Sequence, residues 1–179
     1  MPELTLQKLG EFFKNEGVRT LLIKSLAAED NPKNQIYWGP TPNVLALFEP
    51  REIIDTVAAG RQSQKKISSP RSSFHASLDW LWMSSEGDFF GAPHAKLIFY
   101  PQYPEIRLSA LLRGCLQPYG RTLSELLNRS SQGRVLVLGS DRTGRVLAHV
   151  ADENSKLAKE VSDLGDPDYN LVFHTISLD

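Results

Sequence analysis

The sequence predicts an α+β fold, a mixed or antiparallel open barrel of about seven strands with a few short helices at its periphery. Several segments alternate apolar and polar residues as strands do. The helical segments do not alternate regularly with the strands, which argues against a doubly wound parallel sheet. The chain of 179 residues carries no internal repeat or low-complexity run. We therefore expect a single domain spanning residues 1–179.

The first part of the chain is predicted to begin with a helix at residues 4–15. Its apolar residues fall on one helical face, and a glycine two residues later can end it. Residues 19–25 and 35–38 follow as strands on either side of a polar loop. Thr41 and Pro42 then supply the N-cap and the first-turn residue of a short helix that a later proline ends.

The middle of the chain is predicted to be rich in strands. Residues 74–83 form the clearest strand, because apolar residues occupy every second position. Residues 96–100 and 105–108 are two further strands, separated by a segment that contains Pro101 and Pro104.

The last part combines a hairpin, two helices and a strand. Residues 122–125 read Thr-Leu-Ser-Glu, a capping box that opens a helix. Residues 134–138 and 145–150 are predicted to pair across a turn rich in Ser, Asp, Thr and Gly. Residues 156–164 form a helix ended by glycine, and residues 171–178 form a final strand.

Composition limits the class of protein. The net charge is −1, and a single cysteine, Cys115, excludes an internal disulfide, which suits a reducing compartment. No apolar run reaches the roughly 18 residues of a membrane span, and the N-terminus lacks the pattern of a signal peptide. We expect a cytoplasmic protein without a membrane partner.

The sequence offers no motif for catalysis, a metal or a cofactor. Histidines occur without metal-ligand spacing, and we expect His149 and His174 to be structural residues in strands. The phosphate-binding glycine motifs and the serine-hydrolase elbow are missing. We therefore predict no cofactor, no metal and no catalytic residue.

A basic segment is the first candidate for binding. Residues 56–78 contain four cations and no acid, whereas residues 151–179 contain seven acids and two lysines. The candidate residues of the basic segment are Arg61, Gln64, Lys65, Lys66 and Arg71. Cations can neutralise phosphates or pair with guanine, and glutamine can pair with adenine. The alternative is a solvated surface loop.

A second polar segment precedes the second predicted strand. It contains Lys33, Asn34 and Gln35, followed by the aromatic residues Tyr37 and Trp38. Amides and a cation suit base and phosphate contacts. The alternative is an ordinary polar turn that leads into a strand with aromatic core residues.

Several segments together resemble one family. Residues 23–30 read IKSLAAED, residues 34–37 read NQIY, residues 45–48 read LALF and residues 64–67 read QKKI. With the tryptophan-bearing strand that follows, they resemble the N-terminal effector domain of EcoRII-type restriction endonucleases. The segment FYPQYPEIRLS at residues 99–109 is also similar to two-domain restriction enzymes.

The resemblance implies a B3-like pseudobarrel whose two arms grip the major groove of double-stranded DNA. The first arm would contain Lys33, Asn34, Gln35 and Tyr37. The second arm would contain Arg61, Gln64, Lys65 and Lys66, with Arg71 on a phosphate. The best-known member of the family has a histidine in place of Asn34 and an acid in place of Gln64.

The resemblance also implies that this chain is not an enzyme by itself. The cleavage domain of the family follows the effector domain, and nothing in the sequence matches it. The chain would sense a target for a nuclease domain that is fused or associated. His75 and Arg107 are further candidates for DNA contacts.

Two other hypotheses stay open at this point. A small magnesium-dependent nuclease would use Asp79, Glu105 or Asp141, although no acid-x-Lys tripeptide follows an aspartate here. A protein-interaction module would dock the basic segment on an acidic partner, including the chain's own residues 163–168.

Overall fold

The structure of the chain, a computed structural model, describes twelve ranges of residues. They are 3–26, 35–40, 55–58, 72–77, 80–91, 96–100, 105–109, 115–116, 119–126, 133–143, 145–167 and 173–179. Within these ranges, no helix is both long enough and apolar enough to cross a membrane.

Thirteen strands and three helices lie in the described ranges. The strands are β1 Thr20–Ser25, β2 Gln35–Pro40, β3 Asp55–Ala58, β4 Ser72–Ser77, β5 Trp80–Met83, β6 Phe89–Gly91, β7 Lys96–Tyr100, β8 Glu105–Ser109, β9 Cys115–Leu116, β10 Arg121–Thr122, β11 Val135–Ser140, β12 Val146–Ala151 and β13 His174–Ser177. The helices are α1 Leu6–Asn15, α2 Leu123–Leu126 and α3 Lys156–Ser162.

The strands form two large sheets and a short ribbon. One sheet has six strands in the order β13-β1-β11-β12-β5-β6 and is called the mixed sheet, because β12 and β5 run parallel while its other pairs are antiparallel. The other has five strands in the order β2-β8-β7-β4-β3 and is called the antiparallel sheet. Strands β9 and β10 form the ribbon.

Helix α1 ends at Asn15 as the sequence predicts, but it begins at Leu6, two residues after the predicted start. The hydroxyl of Thr5 caps it by accepting a hydrogen bond from the Lys8 amide at 3.2 Å. Gly17, at φ +88°, adopts the left-handed conformation that allows the chain to leave the helix. Leu9 and Phe13 are fully buried on the face toward the sheet.

The core of the described residues lies between the mixed sheet and helices α1 and α3. Its members are Leu4, Leu9, Phe13, Val18, Leu21, Ile23, Met83, Val135, Val137, Leu147, Ala151, Leu157, Ala158 and Val161. Strand β1 is buried on both faces, since Leu22 is as inaccessible as Leu21 and Ile23. The mixed sheet is therefore the structural centre of the described part of the chain.

The predicted hairpin of β11 and β12 is confirmed, with Ser140 paired to Val146 next to the turn. The predicted strand over residues 74–83 is wrong as a single element. Residues 72–77 form β4 in the antiparallel sheet, while residues 80–83 form β5 in the mixed sheet. Alternation is the same in one strand or in two successive strands, so the pattern cannot show a change of sheet.

The predicted α+β class is confirmed in its coarse form, which is mixed and antiparallel sheets with a few short helices. The strands outnumber the predicted total of about seven, partly because the predicted strand over residues 74–83 is two strands. In addition, β3, β6, β9 and β10 lack a clear alternation over their two to four residues. The mixed sheet is open, with β13 and β6 at its edges. The predicted helix after Thr41 lies outside the described residues.

Candidate nucleic-acid interface

Two of the candidate DNA-binding residues lie in the antiparallel sheet. Gln35 and Tyr37 belong to β2, which is an edge strand of that sheet. The other candidates are outside the described residues; they are Lys33, Asn34, Arg61, Gln64, Lys65, Lys66 and Arg71. They remain predictions.

The register of the antiparallel sheet brings separately named candidates into one row. Tyr37 of β2 pairs with Arg107 of β8, and Arg107 pairs with Ile98 of β7. Ile98 in turn pairs with His75 of β4. Directly paired residues of antiparallel strands share a face of the sheet. Tyr37, Arg107 and His75 therefore lie on the same face, although they are far apart in the chain.

A second row crosses the sheet beside the first. Gln35 pairs with Ser109, Ser109 pairs with Lys96, and Lys96 pairs with Ser77. These four residues lie two positions from the first row along their strands, so they share its face. The row contains one cation, one amide and two hydroxyl groups, and no acid.

The two faces of the antiparallel sheet differ in character. The face with both rows is called the polar face and consists of Gln35, Tyr37, Asp55, Val57, Ser73, His75, Ser77, Lys96, Ile98, Tyr100, Glu105, Arg107 and Ser109. The opposite face consists of Ile36, Thr56, Ala58, Ser72, Phe74, Ala76, Leu97, Phe99, Ile106 and Leu108. Antiparallel sheets with this alternation bury the apolar face and leave the polar face for solvent or a partner.

The two candidate arms start from opposite corners of this sheet. Lys33 and Asn34 precede Gln35, which lies at the end of the sheet that also holds Ser77 and Ser109. Residues 59–71 connect Ala58 of β3 to Ser72 of β4, and this pair lies at the opposite end. Strands β2 and β3 are the two edges of the sheet. With strands about 4.8 Å apart, the corners are about 25 Å from each other on a flat sheet.

Asp141, a candidate ligand of the nuclease hypothesis, has a structural role in the β11–β12 turn. Its Oδ1 accepts hydrogen bonds from the Thr143 amide at 2.8 Å, the Thr143 hydroxyl at 2.7 Å and the Arg145 amide at 3.0 Å. Its Oδ2 accepts from Arg145 Nε at 2.6 Å. Burial alone would raise the pKa of Asp141, but the hydrogen bonds from Thr143 and Arg145 outweigh burial and hold the pKa below its usual value.

Glu105, another carboxylate of the nuclease hypothesis, belongs to a different sheet from the strand that Asp141 follows. Glu105 belongs to β8 in the antiparallel sheet, whereas Asp141 follows β11 in the mixed sheet, and Asp79 is outside the described residues. Across the ranges that the structure describes, no group of three or more His, Cys, Asp or Glu residues could hold a metal ion.

A cleft of about 460 Å³ lies above His149 and Tyr119. The side chains of Tyr119 and His149 form hydrogen bonds with backbone groups at the end of the β12–β5 pairing. The Met83 carbonyl accepts hydrogen bonds from Tyr119 Oη at 2.7 Å and from His149 Nδ1 at 2.8 Å. Because a carbonyl only accepts, Nδ1 of His149 carries the proton. The Val150 amide, which lies beyond the last β12–β5 pair, donates to Tyr119 Oη at 3.1 Å.

Burial keeps both side chains of this cluster neutral. Burial raises the pKa of Tyr119 well above its usual value and lowers the pKa of His149 below its usual value. His149 is only 2% exposed. The prediction that His149 is a structural histidine is confirmed by its bond to the Met83 carbonyl.

The comparisons with known proteins include a solved structure with a similar fold. No protein-family model and no curated protein matches the sequence. A solved B3 domain of a restriction endonuclease is similar in structure, over 96% of this chain and 98% of that chain, at a TM-score of 0.47 and 16% identity. The particular protein is UbaLAI, whose B3 domain, with three leucines replaced by methionine, was crystallised with cognate DNA.

Three residues of the polar face were missed by the sequence reasoning. Ser77, Lys96 and Ser109 lie in the row of Gln35, but each is an ordinary polar residue at the end of a short strand. The sequence alternation within β7 and within β8 is enough to place Lys96 and Ser109 on the more polar face of each strand. Their proximity to Gln35 depends on which strands pair, and the local pattern carries no information about that.

Proposed function

We propose that this chain is a sequence-specific, double-stranded DNA-binding domain. It would act as the target-sensing effector domain of a type II restriction endonuclease, with the catalytic domain elsewhere. Its fold would be a B3-like open pseudobarrel, and its place of action the cytoplasm.

One observation carries the proposal. The register of the antiparallel sheet puts Gln35 and Tyr37 on the same face as Arg107 and His75. Gln35 and Tyr37 were candidates from one polar segment of the sequence, and His75 and Arg107 were further candidates from other segments. An amide, a guanidinium, an imidazole and a phenol on one face can together donate and accept hydrogen bonds to bases and phosphates.

In this proposal the two arms read bases and the sheet lies between them. Asn34, Gln35 and Gln64 would read bases through amide pairs, and Arg61, Lys65 and Lys66 would contact guanine or phosphate. Lys33, Arg71 and Tyr37 would hold the backbone.

A selection experiment tests the proposal. The purified chain is mixed with randomised duplex oligonucleotides at about 100 mM salt, and the retained fraction is sequenced. We expect a motif of a few base pairs that disappears in a Lys65→Ala/Lys66→Ala variant. The matched control is Lys156→Ala/Lys159→Ala, which removes two exposed lysines of α3 and should keep the motif.

The other outcomes separate the rival functions. Retained DNA without a motif would reduce the proposal to electrostatic affinity. Absence of any retained DNA would overturn it and favour a protein-interaction module whose basic segment docks an acidic partner. Cleavage of the retained DNA by the isolated chain in magnesium would overturn the non-catalytic role and favour the nuclease hypothesis.

A further inference from the structure

We propose that the outer edge of β13 pairs with the same edge of a second copy of this chain, so that two mixed sheets join across a twofold axis at Ile176. Within the described strands, β1 is the only neighbour of β13, which is therefore an edge of the mixed sheet. The candidate DNA-binding residues lie in the other sheet or outside the described residues, so this pairing does not depend on the proposed DNA-binding function.

The hydrogen bonds between β13 and β1 determine which backbone groups of β13 face outward. The Leu178 amide donates to the Arg19 carbonyl at 2.7 Å, so these two residues form a hydrogen-bonded pair. Hydrogen-bonded and non-hydrogen-bonded pairs alternate along an antiparallel ladder. The amides and carbonyls of Thr175 and Ser177 therefore point away from β1. No described residue forms a hydrogen bond with these four groups.

An antiparallel pairing of two β13 strands centred on Ile176 gives all four groups a partner in each copy. In that register, Thr175 of one copy lies opposite Ser177 of the other, and each such pair exchanges two hydrogen bonds. The two Ile176 residues form the non-hydrogen-bonded pair between them, where side chains approach most closely. The same residues meet on both copies in exchange, as a twofold interface requires.

The side chains that this register brings together are compatible, which favours a second copy over an unrelated peptide. On one face, the hydroxyl of Thr175 lies opposite the hydroxyl of Ser177, a pair that can form a hydrogen bond. On the other face, Ile176 meets its own copy, and Leu178 lies opposite His174. Strand β13 also contains neither the proline nor the lysine with which many edge strands avoid pairing.

An apolar groove of about 390 Å³ adjoins this edge, between α1 and β13. Its apolar lining consists of Leu6, Gly10, Leu21, Ile176 and Leu178. Because Ile176 of the second copy would lie directly opposite Ile176, its side chain would cover part of the groove and remove apolar surface from water. Glu11 and Lys14 also line the groove, and their opposite charges add no net repulsion between the copies.

Analytical ultracentrifugation from about 5 to about 500 μM tests the surface, because the population of a dimer rises with concentration. We expect the mean mass of the wild type to move from that of one chain toward that of two. Ser177→Pro should stay monomeric, since it removes an outward amide and places its ring on the free edge without removing a bond to β1. The matched control Ser177→Ala keeps the amide and should still dimerise. Equal melting temperatures of the two variants at about 5 μM would show that the proline variant is folded.

A cross-linking experiment tests the register, with Cys115→Ser present in every variant. Ile176→Cys places two thiols in the non-hydrogen-bonded pair, where Cα atoms about 4.5 Å apart are within reach of a disulfide. Thr175→Cys is the matched control, because its two thiols occupy diagonal positions about 7–8 Å apart, which is too far. Under mild oxidation, we expect Ile176→Cys to form the covalent dimer at least about tenfold faster than Thr175→Cys.

Three outcomes would overturn the β13 pairing. A wild type that stays monomeric over the whole concentration range would do so and would leave the proposed DNA-binding function standing. A dimer that persists in Ser177→Pro would do so as well, because the copies would then meet through another surface. Equal rates of cross-linking in the two thiol variants would exclude the register centred on Ile176. A failed DNA selection, in contrast, would leave the pairing of β13 unaffected.

Discussion

At the scale of single residues, two backbone groups need side-chain partners where the pairing of β12 with β5 ends. Strand β5 ends at Met83, while β12 continues through His149 and Val150 to Ala151. The carbonyl of Met83 and the amide of Val150 would lack partners there, and an unpaired buried group costs about 1–3 kcal/mol. Tyr119 and His149 supply the missing partners.

His149 should make stability depend on pH. Burial lowers its pKa below the ordinary value of 6.5, so between that lowered pKa and 6.5 the unfolded chain binds more protons than the folded one. The stabilisation is complete above 6.5 and is lost as the pH falls through this window. In His149→Asn, the melting temperature should depend less on pH between about 7 and about 5. An unchanged pH dependence would assign the effect to other groups.

At the scale of elements, the approach of α1 to β11 is fixed by one glycine. A Cβ on Gly139 would lie 2.6 Å from Val18 Cγ1 and 3.1 Å from Phe13 Cδ1. Val18 and Phe13 are both buried, so neither can move into solvent. The absence of a side chain at Gly139 thus allows the helix to pack on the mixed sheet.

Gly139→Ala should lower the free energy of unfolding by about 1–3 kcal/mol, through overpacking. The matched control is Gly91→Ala in β6, where an added Cβ meets nothing within 4 Å. This control should change stability by no more than about 0.5 kcal/mol. Urea denaturation of both variants measures the difference, and equal values would contradict the packing.

The elements also show what the sequence could and could not predict. Helix α1 and the β11–β12 hairpin were predictable, because a cap, a helical face and a turn are local signals. The parallel pair of β12 and β5 was not, since it joins strands that are more than sixty residues apart in the chain. For the same reason the predicted strand at residues 74–83 proved to be two strands in two sheets.

At the scale of the whole molecule, the two sheets differ in what they contribute. The mixed sheet carries the described core with α1 and α3, while the antiparallel sheet carries the candidate interface. Gln35 and Tyr37 were identified from the sequence. Lys96 and Ser109 were not, because β2 pairs with β8, about seventy residues away, and only that pairing makes them neighbours of Gln35.

This division predicts where DNA should change amide exchange. If DNA lies on the polar face, its binding should suppress local opening of the antiparallel sheet. Hydrogen-exchange mass spectrometry should show slower exchange at residues 35–40 and 96–109 with the selected duplex. Residues 135–151 of the mixed sheet serve as the internal control. Protection confined to that control region would contradict the proposed surface.

The pairing of Ala58 with Ser72 has a consequence for how the segment between them could be exchanged. Residues 59–71 leave and re-enter the sheet at this one pair. The entropy of closing a loop grows slowly, by about 0.6 kcal/mol for each doubling of its length. Recombination could therefore replace the whole segment with another of different length and leave the strand register intact. If residues 59–71 read DNA as proposed, Ala58 and Ser72 are the two positions between which a segment with another specificity would be inserted.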